Sequence, residues 1–441
     1  MDIKDFEIKT LGTCHTKSPL VLSKVHNDGI FDYISDDERI LYEVDSKSFQ
    51  RCIDQKTVPM SFEKAGPREK LFFDPTKTKA AIVTCGGLCP GINAVIRSLV
   101  MELHYRYHVK NTVGIQFGYS GFISDYGFPF IELTPDTVDD IHTKGGSILG
   151  SSRGNQDVKI IVDVLENNNI NMLFCVGGDG TLKGAHDIQQ EIEKRNLKIS
   201  VAGVPKTIDN DINYIQKSFG FETAFTTASS IIRDAHNEAK GYYNGVVIIK
   251  LMGRDSGFIS AKAALAMPEV NFVLIPELDF DLEGEKGFLN VLKERILKSK
   301  HALIVVAEGA GQKFFEKNTT QKDLSGNVLH KDIGIFIKDT IVDYFKQENV
   351  PISMKYIDPS YIIRSTAANA NDQIFCSQLA QNAVHGTMAG KTDFVVGIWN
   401  NLFTYLPIPL ATRERKKINI EGELWWGVLE ATGQPVSMKN S

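Results

Sequence analysis

Four short segments carry residues that a surface turn does not need. Pro205-Lys206-Thr207-Ile208-Asp209-Asn210-Asp211 sets two carboxylates two positions apart, beside a lysine and a threonine. Like charges this close are costly, and one carboxylate of such a pair is suited to take a proton from an attacking hydroxyl. Met252-Gly253-Arg254-Asp255-Ser256-Gly257 offers a guanidinium on a tight turn. Projected into a site with those acids, it would stabilise charge on a transferring phosphoryl. In Gly177-Gly178-Asp179-Gly180-Thr181 the backbone is free to wrap phosphates. Asp179 would repel phosphate oxygens unless a cation such as Mg²⁺ lay between them. In Thr84-Cys85-Gly86-Gly87-Leu88-Cys89-Pro90-Gly91-Ile92-Asn93 the glycines permit close approach of backbone to a ligand. The helix that follows offers free N–H groups to an anion. The spacing is not G-x-G-x-x-G, so it is no dinucleotide fingerprint. Each segment alone is compatible with a plain turn; four in one chain point to phosphate chemistry.

The elements around these segments say how they would be positioned. Residues 80–84, 171–176, 198–204, 245–251, 271–275, 302–306 and 393–398 read as buried strands. Ile92, Val95, Ile96, Leu99, Val100 and Leu103 form one apolar stripe at helical spacing. Residues 181–195 and 222–240 read as further helices. Alternating β and α with near-continuous apolar strands predicts a parallel sheet covered on both faces. Ligands of such sheets bind outside the carboxyl ends of strands, which is where all four segments fall. The first 75 residues lack a strand–helix rhythm and read as a partly ordered N-terminal extension. Residues 311–330, polar and with Ser325-Gly326-Asn327, are the best candidate for a long surface loop.

Composition excludes several alternatives. Lys+Arg minus Asp+Glu is 49 − 54 = −5, which argues against nucleic-acid binding through bulk charge. No apolar run approaches the ~20 residues of a membrane span, and Met1-Asp2-Ile3-Lys4-Asp5 opens no signal core, so a cytoplasmic protein is expected. Six cysteines in 441 residues are no disulfide framework. Cys85 and Cys89 are followed by no His/Cys pair at zinc spacing. Gly386-Thr387-Met388-Ala389-Gly390-Lys391-Thr392 is a near miss of a P-loop, with three residues between the glycines and a strand rather than a helix after it.

Taken together, the motifs closely resemble the 6-phosphofructokinase family from about Ala80 to Thr432, nearest to the ATP-dependent trypanosome and plant type. Gly146-Ser147-Ile148-Leu149-Gly150-Ser151-Ser152-Arg153-Gly154, Ala307-Glu308-Gly309 and Tyr356-Ile357-Asp358-Pro359-Ser360-Tyr361-Ile362-Ile363-Arg364 support the match. The resemblance implies two Rossmann-like three-layer α/β domains with mainly parallel sheets, the active site in the cleft between them, and an N-terminal extension. Residues 76–220 with 368–418 would bind nucleotide, and 221–367 with 419–441 the sugar phosphate, after an extension of residues 1–75. It places ATP on Gly86, Arg153, Gly154, Gly178, Asp179, Gly180 and Thr181, with Tyr119 nearby, and Mg²⁺ on Asp179. Asp209 would be the base toward the sugar 1-hydroxyl, supported by Thr207 and Asp211, and Arg254 would stabilise the moving phosphoryl. Thr207, Ile208, Asp209, Met252, Gly253, Arg254, Glu308, Lys355, Tyr361, Ile362, Ile363 and Arg364 would hold fructose 6-phosphate. Tyr361 stands where many bacterial members have His, and a phenol also donates to a phosphate. Gly180 leaves room for a nucleotide where pyrophosphate users carry Asp, whereas Lys206 is the pyrophosphate users' residue. The trypanosome and plant types combine this Gly and Lys and use ATP, so ATP is the expected donor and pyrophosphate the alternative. An NAD or lipid kinase would explain Asp179 but not Asp209, Asp211 or Arg254. A silent sensor subunit would have no need of Asp179 and Asp209. The family's homotetramer and allosteric regulation come with the resemblance; no nucleic acid or membrane partner is expected.

Overall fold

The computed structural model describes residues 3–25, 27–315 and 330–440. Most of the loop expected over 311–330 lies outside the described residues. The chain divides into two compact units. One comprises Met1–Thr207, Ile212–Gly220 and Thr366–Arg415; the other comprises Ile208–Asp211, Phe221–Ser365 and Lys416–Ser441.

The first unit is built on a nine-stranded sheet. In chain order its strands begin with β1 (Arg39–Leu41), β2 (Ser61–Lys64), β3 (Lys79–Thr84), β4 (Asn111–Ile115), β5 (Ile131–Glu132), β6 (Met172–Gly177) and β7 (Ser200–Pro205). The chain then forms the second unit's four-stranded sheet from β8 (Gly245–Leu251), β9 (Phe272–Leu274), β10 (His301–Ala307) and β11 (Ser353–Ile357). It returns to the first sheet for β12 (Phe394–Trp399) and β13 (Leu402–Pro407).

The order across the first sheet is β1-β2-β13-β12-β7-β6-β3-β4-β5. The five central strands β12, β7, β6, β3 and β4 run parallel. The strands outside them pair antiparallel. β6 shows why its text lacks alternation: every residue from Met172 to Gly177 is buried. Leu173 and Cys175 pack with Leu182 and Ile188 of the helix Asp179–Lys194, while Phe174 and Val176, on the opposite face, are buried as completely. Truncating a side chain such as Phe174 to Ala would cost about 3–5 kcal/mol.

The first 75 residues contribute more regular structure than their text suggests. β1 and β2 extend the main sheet. Lys9–Thr10 pairs with Lys391–Thr392, and Thr16–Lys17 with Lys70–Leu71. Strands this short carry no readable period. Their anchors are aromatic: Phe6, Tyr42, Phe62, Tyr214 and Trp399 form a connected ring cluster. Lys391 of the P-loop-like text is 3% exposed and lies 2.6 Å from Glu63, which also pairs with Arg68 at 2.7 Å. Its charge is spent inside the fold.

The second unit's sheet has order β9-β10-β8-β11, all parallel. Val246, Ile248, Ile304 and Val306 pack on Leu292 and Ile296 of the helix Phe288–Ser299 and on Ile337 and Ile341 of Ile333–Gln347. Val247 and Ile249, facing the other way, are equally buried. Among the described residues no helix is long and apolar enough to cross a membrane. No disulfide joins the six cysteines.

Candidate active site

Strand register decides which motifs meet in the first unit. Gly177 lies opposite Pro205, and Val176 opposite Thr84. The loops after β3, β6 and β7 therefore leave the sheet at one edge. β3 is followed by β4 on one side and flanked by β6 on the other, a switch of chain direction that leaves a crevice at the strand ends.

Gly86 has φ 85°, and a Cβ there would lie 3.4 Å from the Lys206 ammonium. Its N–H donates to the Ser152 carbonyl at 2.9 Å, and its carbonyl accepts from Ser151 Oγ at 2.6 Å. These bonds tie the Gly86 turn to the loop that carries exposed Arg153 and Gly154, whose φ is 102°. Lys206 is only 5% exposed and donates to the Gly87 carbonyl at 2.6 Å. Gly178 caps the helix Asp179–Lys194 without a side chain, leaving the first N–H groups of that helix for a ligand. Asp179 stands in the first turn, where the helix dipole favours an anion. Its carboxylate is mostly buried and pairs with Lys183 at 3.0 Å. A Cβ on Gly180 would meet nothing within 4 Å. Thr181 is buried, and Tyr119, expected near the nucleotide, is buried too and donates to the Thr181 carbonyl at 2.8 Å. Tyr119 braces the turn from inside the fold.

The second unit gathers the acids and guanidiniums. Leu251 lies opposite Ala307, so Met252-Gly253-Arg254 and Glu308 leave adjacent parallel strands side by side. Glu308 donates its N–H to the Leu251 carbonyl at 2.9 Å and accepts the Arg254 N–H on Oε1 at 2.8 Å. Arg254 has φ 50° and Asn210 φ 54°. Left-handed backbone is uncommon outside glycine and is kept where surrounding bonds enforce it. Ser256 Oγ lies 3.1 Å from the Asp209 carbonyl and 2.9 Å from that of Gly253, joining the two loops. The Asp211 carbonyl accepts the Lys416 N–H at 2.8 Å.

Burial pushes the Asp209 carboxyl above the ordinary carboxylate range, and the carboxylates of Asp211 and Glu308 push it further. Arg254 and Arg364 pull in the opposite direction. Asp209, Asp211, Glu308, Arg254 and Arg364 thus share one electrostatic field, although they come from four stretches of sequence. Arg364 sits on the short helix Ser360–Ser365 after β11, on which Ile363 is buried and Tyr361 and Ile362 are exposed. Ile208 is buried, Met252 is half-buried, and the Thr207 carbonyl accepts from Ser218 Oγ at 2.7 Å. Lys355 stands apart from this group: its ammonium lies 3.8 Å from Glu238 and 5.0 Å from the Tyr242 ring centre.

Two supporting residues are invisible in the sequence. Glu277 Oε1 accepts from the N–H groups of Gly257 at 3.1 Å and Ile418 at 3.0 Å, and burial raises its carboxyl. Burial pushes the Lys416 ammonium down to about 7, against the pull of Asp211. Their partners lie many residues away along the chain, and no local pattern marks them.

Among the described residues no three His, Cys, Asp or Glu side chains gather as metal ligands. Asp179 beside open helix N–H groups fits a different arrangement. Mg²⁺ is commonly held by one or two carboxylates, waters and the oxygens of a bound phosphate, without an all-protein cage.

Residues 79–387 match the family described as Phosphofructokinase. The chain is 51% identical to an ATP-dependent 6-phosphofructokinase of Borreliella burgdorferi, over 99% of this chain and 98% of that one. It is 43% identical to an ATP-dependent 6-phosphofructokinase of Amycolatopsis methanolica, over 99% and 96%. A chloroplastic ATP-dependent 6-phosphofructokinase of Arabidopsis thaliana is 48% identical, over 91% of this chain and 76% of that one. A pyrophosphate-dependent phosphofructokinase from Marinobacter aquaeolei superposes with a TM-score of 0.66 at 20% identity, over 80% of this chain and 91% of that one, a likeness of fold. With a family match across most of its length and relatives this similar from end to end, the chain belongs to the phosphofructokinase family.

Proposed function

We propose that this chain transfers the γ-phosphoryl of ATP to the 1-hydroxyl of fructose 6-phosphate, giving fructose 1,6-bisphosphate in glycolysis. One observation carries the reading: a partly buried Asp209 carboxylate set among Asp211, Glu308, Arg254 and Arg364. A carboxyl held above its usual range by desolvation and like charge is a better base than an exposed one.

Asp209 takes the proton of the 1-hydroxyl as its oxygen attacks in line. Arg254, fixed through its own N–H by Glu308, neutralises the equatorial oxygens. The Gly178–Thr181 turn holds the donor phosphates through backbone N–H groups beside the close-approach turn at Gly86, with Arg153 and Gly154 on the diphosphate that leaves. Mg²⁺ bound with the donor would supply charge neutralisation, and Asp179 is the residue that would hold it. Glu308, Met252, Gly253, Tyr361 and Arg364 orient the sugar phosphate. Lys355 and the exposed Ile362 belong to that set by resemblance alone. Most of the acceleration comes from positioning and charge stabilisation.

Pyrophosphate is the competing donor, because Lys206 places a buried ammonium against the Gly87 carbonyl where phosphates would approach. Open space at Gly180 favours ATP. The test is a pair of initial-rate assays with fructose 6-phosphate, one with ATP and Mg²⁺ and one with pyrophosphate and Mg²⁺. Turnover with ATP and little with pyrophosphate is expected, and chelation of the divalent cation abolishes it. No product with either donor overturns the reading in favour of a silent sensor. Residence in the cytoplasm and assembly as a homotetramer are part of the same proposal; light scattering should then read four times 49.0 kDa.

A further inference from the structure

The first unit contains a cavity of about 890 Å³ lined by residues that none of the phosphate motifs use. Its apolar wall includes Leu20, Phe31, Ile34, Leu402 and Phe403, and Glu102 stands in the same lining. A volume of this size is that of a small-molecule site.

Glu102 is an unusual wall residue. Its side chain is 10% exposed. Among the described residues its carboxylate has no hydrogen-bond donor, and the nearest basic atom is His385 Nδ1 at 4.0 Å. That imidazole does not neutralise it. His385 Nδ1 is engaged with the Tyr107 hydroxyl at 2.8 Å, and burial together with the Arg68 charge pushes the ring down to about 3. Burial accordingly pushes the Glu102 carboxyl up to about 7, with Arg106 the opposing influence. A carboxylate this withdrawn from solvent, with no protein hydrogen-bond donor among the described residues, is expensive unless water or a ligand in the cavity reaches it. The local backbone adds a second sign. The α-helix Ile92–Met101 loosens into a π-helical turn over Glu102–Arg106, with the Tyr107 N–H bonded to the Glu102 carbonyl at 3.2 Å. Such turns recur at functional sites, because they re-aim side chains out of helical register.

We propose that this cavity binds a small organic amine: an apolar body against Leu20, Phe31, Ile34, Leu402 and Phe403, with its ammonium on the Glu102 carboxylate. An aromatic or branched aliphatic body of drug size fits the volume, and the Phe31 and Phe403 rings add attraction for a nearby cation. A carboxylate ligand is disfavoured at Glu102 itself, although Lys64 and Arg106 stand in the same lining.

The experiment uses the full chain and isothermal titration with three probes of one shape: 2-phenylethylamine, 2-phenylethanol and phenylacetate. The amine should bind about 10-fold or more tighter than the alcohol, the worth of a charge-assisted hydrogen bond, and phenylacetate weakest. Glu102→Gln should erase the preference for the amine while keeping the alcohol's affinity. Leu402→Trp, which crowds the apolar wall from a partly exposed position, should weaken all three probes. Equal affinity for amine and alcohol, or an amine preference that survives Glu102→Gln, overturns the proposal. So does the absence of binding by every probe to the wild type, the result expected if a second copy of the chain covers this face.

Discussion

Replacing Gly180 with Asp should turn the donor preference without harming the fold. A Cβ at position 180 meets nothing within 4 Å, so the new side chain requires no repacking. Position 180 is the second residue of the helix Asp179–Lys194. Exchanging Gly for Asp in a helix gains about 0.3 kcal/mol in propensity, and a carboxylate in the first turn gains about 0.3–1 kcal/mol from the dipole. Asp179 is adjacent in sequence, and neighbours at i, i+1 do not face one another on a helix. Melting temperature should therefore hold or rise slightly. Function responds in the other direction. A carboxylate about 5 Å from a nucleotide phosphate, at an effective dielectric near 20, repels it by about 3 kcal/mol. That corresponds to a loss of roughly 100-fold in kcat/KM for ATP. Pyrophosphate has no α-phosphate or ribose to place there and should lose much less. The assay couples fructose 1,6-bisphosphate formation to NADH oxidation, with each donor varied at saturating sugar phosphate. A variant that folds normally and keeps the wild-type ratio of ATP to pyrophosphate activity would refute the steric and electrostatic argument.

Three further outcomes follow from the acid cluster and its supports. Asp209→Ser should lower kcat at least about 100-fold with little change in substrate KM, and near-normal turnover would remove Asp209 as the base. Because the Asp209 carboxyl is raised, its base form is lost as pH falls through that raised pKa. The acid limb of kcat/KM should thus lie above the ~4 of an ordinary carboxylate, and Asp211→Asn, by deleting the neighbouring charge, should move it to lower pH. A limb that stays put in Asp211→Asn would assign the titration to another group. Gly309→Ala would set a Cβ 1.9 Å from the Arg254 carbonyl. Forcing these loops apart should cost about 1–3 kcal/mol in a denaturant titration and reduce kcat more than KM; unchanged kcat would show that the Arg254 backbone need not be held so closely.

The sequence alone settled what depends on neighbours along the chain. Glycines at 86, 178 and 180, the acids at 179, 209 and 211 and Arg254 could be singled out together as candidates, because turn chemistry and charge spacing are local. Continuous apolar strands announced a parallel sheet for the same reason: burial on both faces removes alternation at every residue of β6. Strands of two to four residues, such as β1 and β2, were not legible, since so few side chains carry no period. Tertiary structure alone decided pairings over long sequence distance. It bound Glu308 to the Arg254 N–H, set Ser256 against Asp209, and turned Tyr119 inward as a brace. It also left Glu102 withdrawn from solvent with no hydrogen-bond donor among the described residues, a property no sequence pattern encodes, because desolvation is the joint work of residues hundreds of positions apart.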